Sequence, residues 1–384
     1  MENRNEVWKS ISRKNIKRYK FILNDDLLTT SYNEVLLDNM IGEEFQSALR
    51  PINVMQAFFL FANYKIRDNF VTLNSFFYNV MMVLSAILIR SMSLYNLITS
   101  VTNWGSSFNV LLNFGGIYNF LFYSIGFCLN CISNIKQSHN NIILILKIQY
   151  VQRSLKFGRK DYESLIIHNW AWIIAIVGIW LISAFIFFTY LKMSHLELFA
   201  TYTCLIFDFN MIYFSFLVKL LHKLVIAWIS DLHKSGISEE SEKDSDWKIR
   251  YDLYVNILEA YTIAQKVFQE QVIFVNFYLI KQITLLVIIM HAWLMKSIIL
   301  EICLCVACEK FYSAMKDIQS KCISMINSDK NTQRRVCKNI LRLQNISFNT
   351  INACSLFYVD AMLPLSVFNF ITKYTIVMLQ FLFL

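Results

Sequence analysis

Seven stretches of this chain are each mostly apolar and about 20 residues long, enough to cross the hydrocarbon core of a bilayer as a helix. They are 70–90, 108–129, 170–190, 198–218, 272–294, 297–315 and 358–384. The third, WAWIIAIVGIWLISAFIFFTY, is the most uniformly apolar, and the sixth is interrupted by Glu301, Glu309 and Lys310. Hydrocarbon offers the backbone no hydrogen-bond partners, so a spanning segment must be a helix or a strand of a closed barrel. With only 8 Gly and 2 Pro against 32 Phe, the chain suits long unbroken helices and not the short alternating segments of a barrel. Charged residues make up 16% and apolar ones 56%, too little charge to cover a soluble surface at this length. The expected fold class is an all-α integral membrane bundle of seven transmembrane helices.

The links carry the orientation. If the N-terminus lies inside, the inner segments 1–69, 130–168, 219–270 and 310–345 hold 31 of the 36 Lys and Arg, as the positive-inside rule requires. The outer links then hold Arg90, Lys192 and Lys296, and Lys281 and Lys373 fall within spans. The net charge of +9 therefore belongs to a cytoplasmic face, and nucleic acid is not an expected partner. An odd number of spans puts the C-terminus outside. Residues 130–168 and 219–270 keep apolar residues at helical spacing (Ile142, Ile145, Leu146, Gln149; Leu253, Ile257, Leu258, Tyr261), so they read as helices continuing into the cytoplasm. Residues 52–62 are too short to span and read as an interfacial or re-entrant piece, and 235–246 as a disordered loop. The organisation expected is a cytoplasmic region at 1–69, a six-span ligand-binding bundle at 70–345, and an anchor and pore helix at 346–384.

The polar, basic start of the chain has no apolar core, so no cleaved signal peptide is expected. The 9 Cys lie in apolar segments or inner links, which predicts no disulfide framework. Cys128-x-x-Cys131 and Cys303-x-Cys305-x-x-Cys308 lack the further ligands of a tetrahedral zinc site and read as buried structural cysteines. No phosphate-binding loop, nucleophile elbow or zinc-protease motif occurs, so neither an enzyme nor a cofactor is expected. Asn345-Ile346-Ser347 fits a glycosylation sequon but lies on the inner side.

The last segment carries the most specific pattern. Tyr374–Thr375–Ile376–Val377–Met378–Leu379–Gln380–Phe381 resembles the signature of insect gustatory receptors, a Thr-Tyr pair, five mostly apolar residues, then Gln-Phe. Upstream, Phe348, then Ala353–Cys354–Ser355–Leu356–Phe357, then Asp360, are similar to the stretch that precedes it in that family. Lys373 stands where the family has Thr and Ser355 where it has Gly, and Thr375 replaces the Glu usual in sugar receptors. The resemblance implies a tastant-gated, mostly non-selective cation channel in the plasma membrane of chemosensory neurons. It implies a homo- or heterotetramer with other gustatory receptors, a pore lined by the last helix, and a ligand pocket in the outer half of each bundle. The alternatives are an insect odorant receptor of the same superfamily and a G-protein-coupled receptor, which has seven spans in the opposite orientation. A transporter would show paired broken helices in two halves.

Helical spacing adds to that motif. Positions seven apart nearly eclipse, so Lys373, Val377 and Gln380 share one face, with Tyr374 and Phe381 on a neighbouring one. These five are the candidate pore and gate residues: an amide replaces part of an ion's hydration shell, and apolar neighbours gate by dewetting. Lysines around one lumen repel cations, so Lys373 is expected to weaken cation selectivity unless it snorkels or pairs. Candidate pocket residues are Asn109, Asn113, Tyr118, Tyr190, Asp208, Gln282, His291 and Glu301, polar groups in largely apolar spans. Lys281 is a candidate partner for Asp208 or Glu301, and Trp180 and Trp293 offer stacking faces. Against each stands the plainer role of an interhelical bond or an interface anchor.

Overall fold

In the segment 43–58, apolar residues recur at helical spacing on one side only. The computed structural model shows a helix there, α1 (Glu43–Phe58), with Phe45, Ala48, Leu49, Ile52 and Gln56 buried along one stripe. Glu43 and Glu44 occupy its first turn, where the helix dipole favours negative charge. The helix ends in a left-handed turn at Leu60 (φ 61°), and a short antiparallel hairpin, β1 (Lys65–Arg67) and β2 (Phe70–Thr72), follows. The hairpin doubles back, so that the Ile41 amide donates to the Asn69 carbonyl at 2.7 Å. Of the stretch 52–62, read as an interfacial or re-entrant piece, 52–58 belong to this helix, and Ile52 joins the main hydrophobic core.

The structure describes residues 40–384 except 68, 103–106, 156, 190–204, 238–243, 282–288, 327–330, 354–356 and 384. It leaves out the side chains at 100–116, 118–119, 159–161, 187, 233–245, 270–294, 331 and 353 and at some positions of 371–383. The remaining helices are α2 (Phe76–Thr102), α3 (Ser107–Ser154), α4 (Arg159–Thr189), α5 (Leu205–Ile237), α6 (Asp244–Lys281), α7 (Ile289–Ile326), α8 (Asn331–Ser347) and α9 (Leu363–Phe383). A second small hairpin, β3 (Asn352–Ala353) and β4 (Phe357–Tyr358), precedes α9. Among the described residues the chain is all-α, with only the two short hairpins besides its helices. At 1.5 Å per residue α3 is about 72 Å long, more than twice a hydrocarbon core of about 30 Å. Of the stretches with helical apolar spacing, 130–154 and 159–168 are helix with a break between α3 and α4, and 219–237 and 244–270 are helix. The described part of 235–246 is helical as well, and 238–243 lies outside the described residues.

Among the described residues, three helical segments are long and apolar enough to cross a membrane: Phe76–Thr99, Tyr162–Ile186 and Leu205–Leu232. The other spans read from the sequence fall partly on undescribed residues or carry more charge. The three differ in surroundings: 11% of the apolar window is buried in the first, 28% in the second and 72% in the third. Phe76, Phe77, Leu84, Ile87 and Leu88 of α2 and Ile174, Leu181, Ile182 and Phe185 of α4 are exposed. Soluble proteins rarely expose so broad an apolar surface, and these helices are compatible with a membrane-embedded protein. By contrast α5 is buried on nearly every side and packs on α7, α6, α4 and α1. Ion pairs fasten the long helices: Lys147 of α3 with Glu259 of α6, and Arg250 of α6 with Asp231 of α5 at 3.0 Å.

Candidate functional site

The last helix is launched by a small, heavily bonded knot. Phe348 packs against the rings of Tyr261, Phe311 and Tyr312, with centroids 5.6, 6.3 and 6.1 Å away. Tyr261 donates its hydroxyl to the Asn349 carbonyl at 2.7 Å. The Tyr312 hydroxyl donates to the Val359 carbonyl at 3.1 Å and accepts from the Ile351 amide at 3.0 Å, tying the two residues together at the open end of the β3–β4 hairpin. Asp360 then caps the turn into α9, its carboxylate accepting from the amides of Met362 (2.9 Å) and Leu363 (3.1 Å). Pro364 sits in the first turn, where its missing N–H costs nothing. Phe348 and Asp360, singled out in the sequence by the resemblance to a family's motif, thus have direct structural tasks.

Beyond that start, α9 leaves the core. Leu363 and Val367 are buried, but Phe368 is 62% exposed and Ile376 51%. Lys373, Val377 and Gln380 are exposed as well and share one face of the helix. The side chains of Tyr374 and Phe381 lie outside the described residues.

Of the candidate pocket residues, only Asp208 and Glu301 have described side chains. Those of Asn109, Asn113, Tyr118 and His291, and of Lys281 and Trp293, lie outside the description, as do Tyr190 and Gln282. Asp208, buried on α5, forms an ion pair with Lys296 of α7. The indole of Trp180 on α4 donates to the same carboxylate at 3.4 Å, and the Lys296 ammonium lies 5.7 Å from the indole ring. Lys296 is therefore not a residue of an outer link but the buried counter-ion of Asp208, because α7 begins at Ile289 and carries it into the α5 interface. Trp180 serves here as donor and cation platform. Glu301 is 1% exposed, and neither carboxylate oxygen has a partner among the described residues.

Sequence reasoning missed two further clusters. Buried amides form a ladder: Asn63 donates to Gln56 (3.5 Å), Gln56 to Asn210 (3.1 Å), and Asn210 to Asn130 (3.0 Å), joining α1, α5 and α3. The second is His168, Trp172 and Lys219. The Trp172 indole donates to Nε2 of His168 at 2.8 Å, and Lys219 Nζ lies 2.6 Å from the same nitrogen. The i, i+4 spacing of His168 and Trp172 was a usable signal for that contact; nothing local marks Gln56 or Asn210. Among the described residues, no group of three or more His, Cys, Asp or Glu is placed to hold a metal ion. No protein-family model matches the chain, and a search of curated proteins returns no significant match.

Proposed function

We propose that the chain is one subunit of a ligand-gated, non-selective cation channel of the insect gustatory receptor type, opened by a small-molecule tastant. The reading has seven spans, an inside N-terminus and a plasma-membrane location in chemosensory neurons. The last helix borders the pore.

The observation that carries it is the exposure of α9. A helix of 21 residues is long enough to span, yet beyond its first turns it presents Lys373 and Gln380 to the surroundings among exposed apolar residues. A lysine at the centre of a lipid-facing helix costs about 2.5–3.5 kcal/mol even on insertion scales. That cost is avoided if copies of α9 gather around a water-filled conduit, with Phe368, Ile376 and their neighbours packing between subunits or on lipid. The C-terminal run from Phe348 to Phe381 and the distribution of Lys and Arg support the same reading.

The test is whole-cell recording from cells expressing the full chain, over a panel of bitter, amino-acid and sugar ligands. The expected result is a ligand-evoked cation current that survives G-protein blockade, with a tag on Leu384 reached from outside intact cells. A tag that is reached only after permeabilisation overturns the reading. So does surface protein that passes no current with any ligand.

A further inference from the structure

His168, Asn169 and Trp172 of α4, Ser215 and Lys219 of α5, and Cys303 of α7 line a cavity of ≈ 10 Å³. That is room for about one particle the size of water. No carboxylate lines it. Indole N–H and lysine ammonium are donors only, and both address Nε2 of His168, at 2.8 and 2.6 Å. That nitrogen therefore carries no proton, and the imidazole is neutral with its hydrogen on Nδ1. A neutral acceptor takes one of the three ammonium protons of Lys219 and leaves the charge uncompensated. Among the described residues Lys219 has no ion-pair partner. Ser215 lies one helical turn before Lys219, so both side chains reach the same side of α5. Ser215 is 8% exposed, and its hydroxyl has no partner among the described residues. The amide of Asn169 is already used, donating to the Ala48 carbonyl at 3.2 Å.

The cavity thus combines a positive charge, a spare hydroxyl donor and a thiol, with no carboxylate among its lining residues. We propose that it is a binding site for a monatomic anion, chloride in the cell, held by the Lys219 ammonium and the Ser215 hydroxyl. Water would satisfy the hydroxyl but would leave the partly desolvated ammonium without a counter-charge.

The test uses the purified full chain in lipid nanodiscs, melted in sodium gluconate while chloride replaces gluconate at constant ionic strength. A ligand bound only by the fold raises the melting temperature with its concentration and saturates. Wild-type protein is expected to show a saturating rise of several degrees with chloride, reproduced by bromide. Lys219→Met is expected to lose it, and Ser215→Ala to need several-fold more chloride for half of it. Equal melting in gluconate and chloride overturns the proposal, as does a rise that Lys219→Met retains; either outcome assigns the cavity to water. If Lys219→Met does not fold, Ser215→Ala decides, and an unchanged chloride midpoint overturns the proposal.

Discussion

Lys296 and Asp208 meet inside the helix bundle, and each makes the other tolerable there. Removing one partner of a buried pair leaves a bare charge and typically costs about 3–5 kcal/mol, whereas replacing both with apolar groups is often neutral. Lys296→Met is therefore expected to lower the melting temperature of detergent-solubilised protein sharply. Adding Asp208→Leu is expected to recover most of the loss; a double variant no better than the single one refutes the coupling. The sequence marked Asp208 as a carboxylate in need of a partner but pointed to Lys281, since Lys296 fell between two spans drawn by hydropathy. A window of apolar residues cannot tell a loop lysine from a helical one whose charge is met by another helix. His139, half-buried on α3, illustrates a second residue-scale effect: burial holds its pKa below the ordinary 6.5. Its contribution to stability is full above 6.5. As pH falls from there through the lower folded pKa, the unfolded chain takes up the proton first and that contribution is lost. His139→Gln is expected to flatten this part of the melting-temperature profile between about pH 5 and 7.

At the scale of elements, one hydroxyl in the knot before α9 makes two of its bonds. Tyr312→Phe leaves the Ile351 amide and the Val359 carbonyl without their partner, a loss of about 1–3 kcal/mol for each buried group left unpaired. Faster amide exchange across 351–363 than in wild type, with little change in α3, is the expected outcome; unchanged protection there refutes the role. The apolar period foretold helix at 130–168 and 219–270, and the described residues there are helical except for the break between α3 and α4 after Ser154. It understated α1, because Glu43, Glu44, Gln46 and Arg50 on its polar side break up the hydropathy of a helix whose other side is core. Hydropathy also grouped the apolar segments of α2 and α5 together, although most of the first is exposed and most of the second is buried. An apolar face looks the same in sequence whether lipid or another helix covers it.

At the scale of the molecule, the proposed tetrameric channel makes Lys373 a test of what lies beside α9. Four lysines around one lumen hold cations back by like-charge repulsion. Lys373→Thr is therefore expected to raise cation over anion permeability, read as a shifted reversal potential in a salt gradient. Identical reversal potentials would mean that Lys373 does not face the conduit. Composition and spacing alone determined that the chain is helical, that it carries apolar segments of membrane length, and which face of the last helix holds Lys373 and Gln380. Those properties follow from residue types and the 3.6-residue turn, which act over short distances along the chain. Only the tertiary structure decided that Lys296 neutralises Asp208, that Gln56, Asn210 and Asn130 form one ladder, and that Lys219 meets His168. Their members lie tens to more than a hundred residues apart. Which of them meet depends on how helices of up to 48 residues slide against one another, and a shift of one turn would exchange every partner.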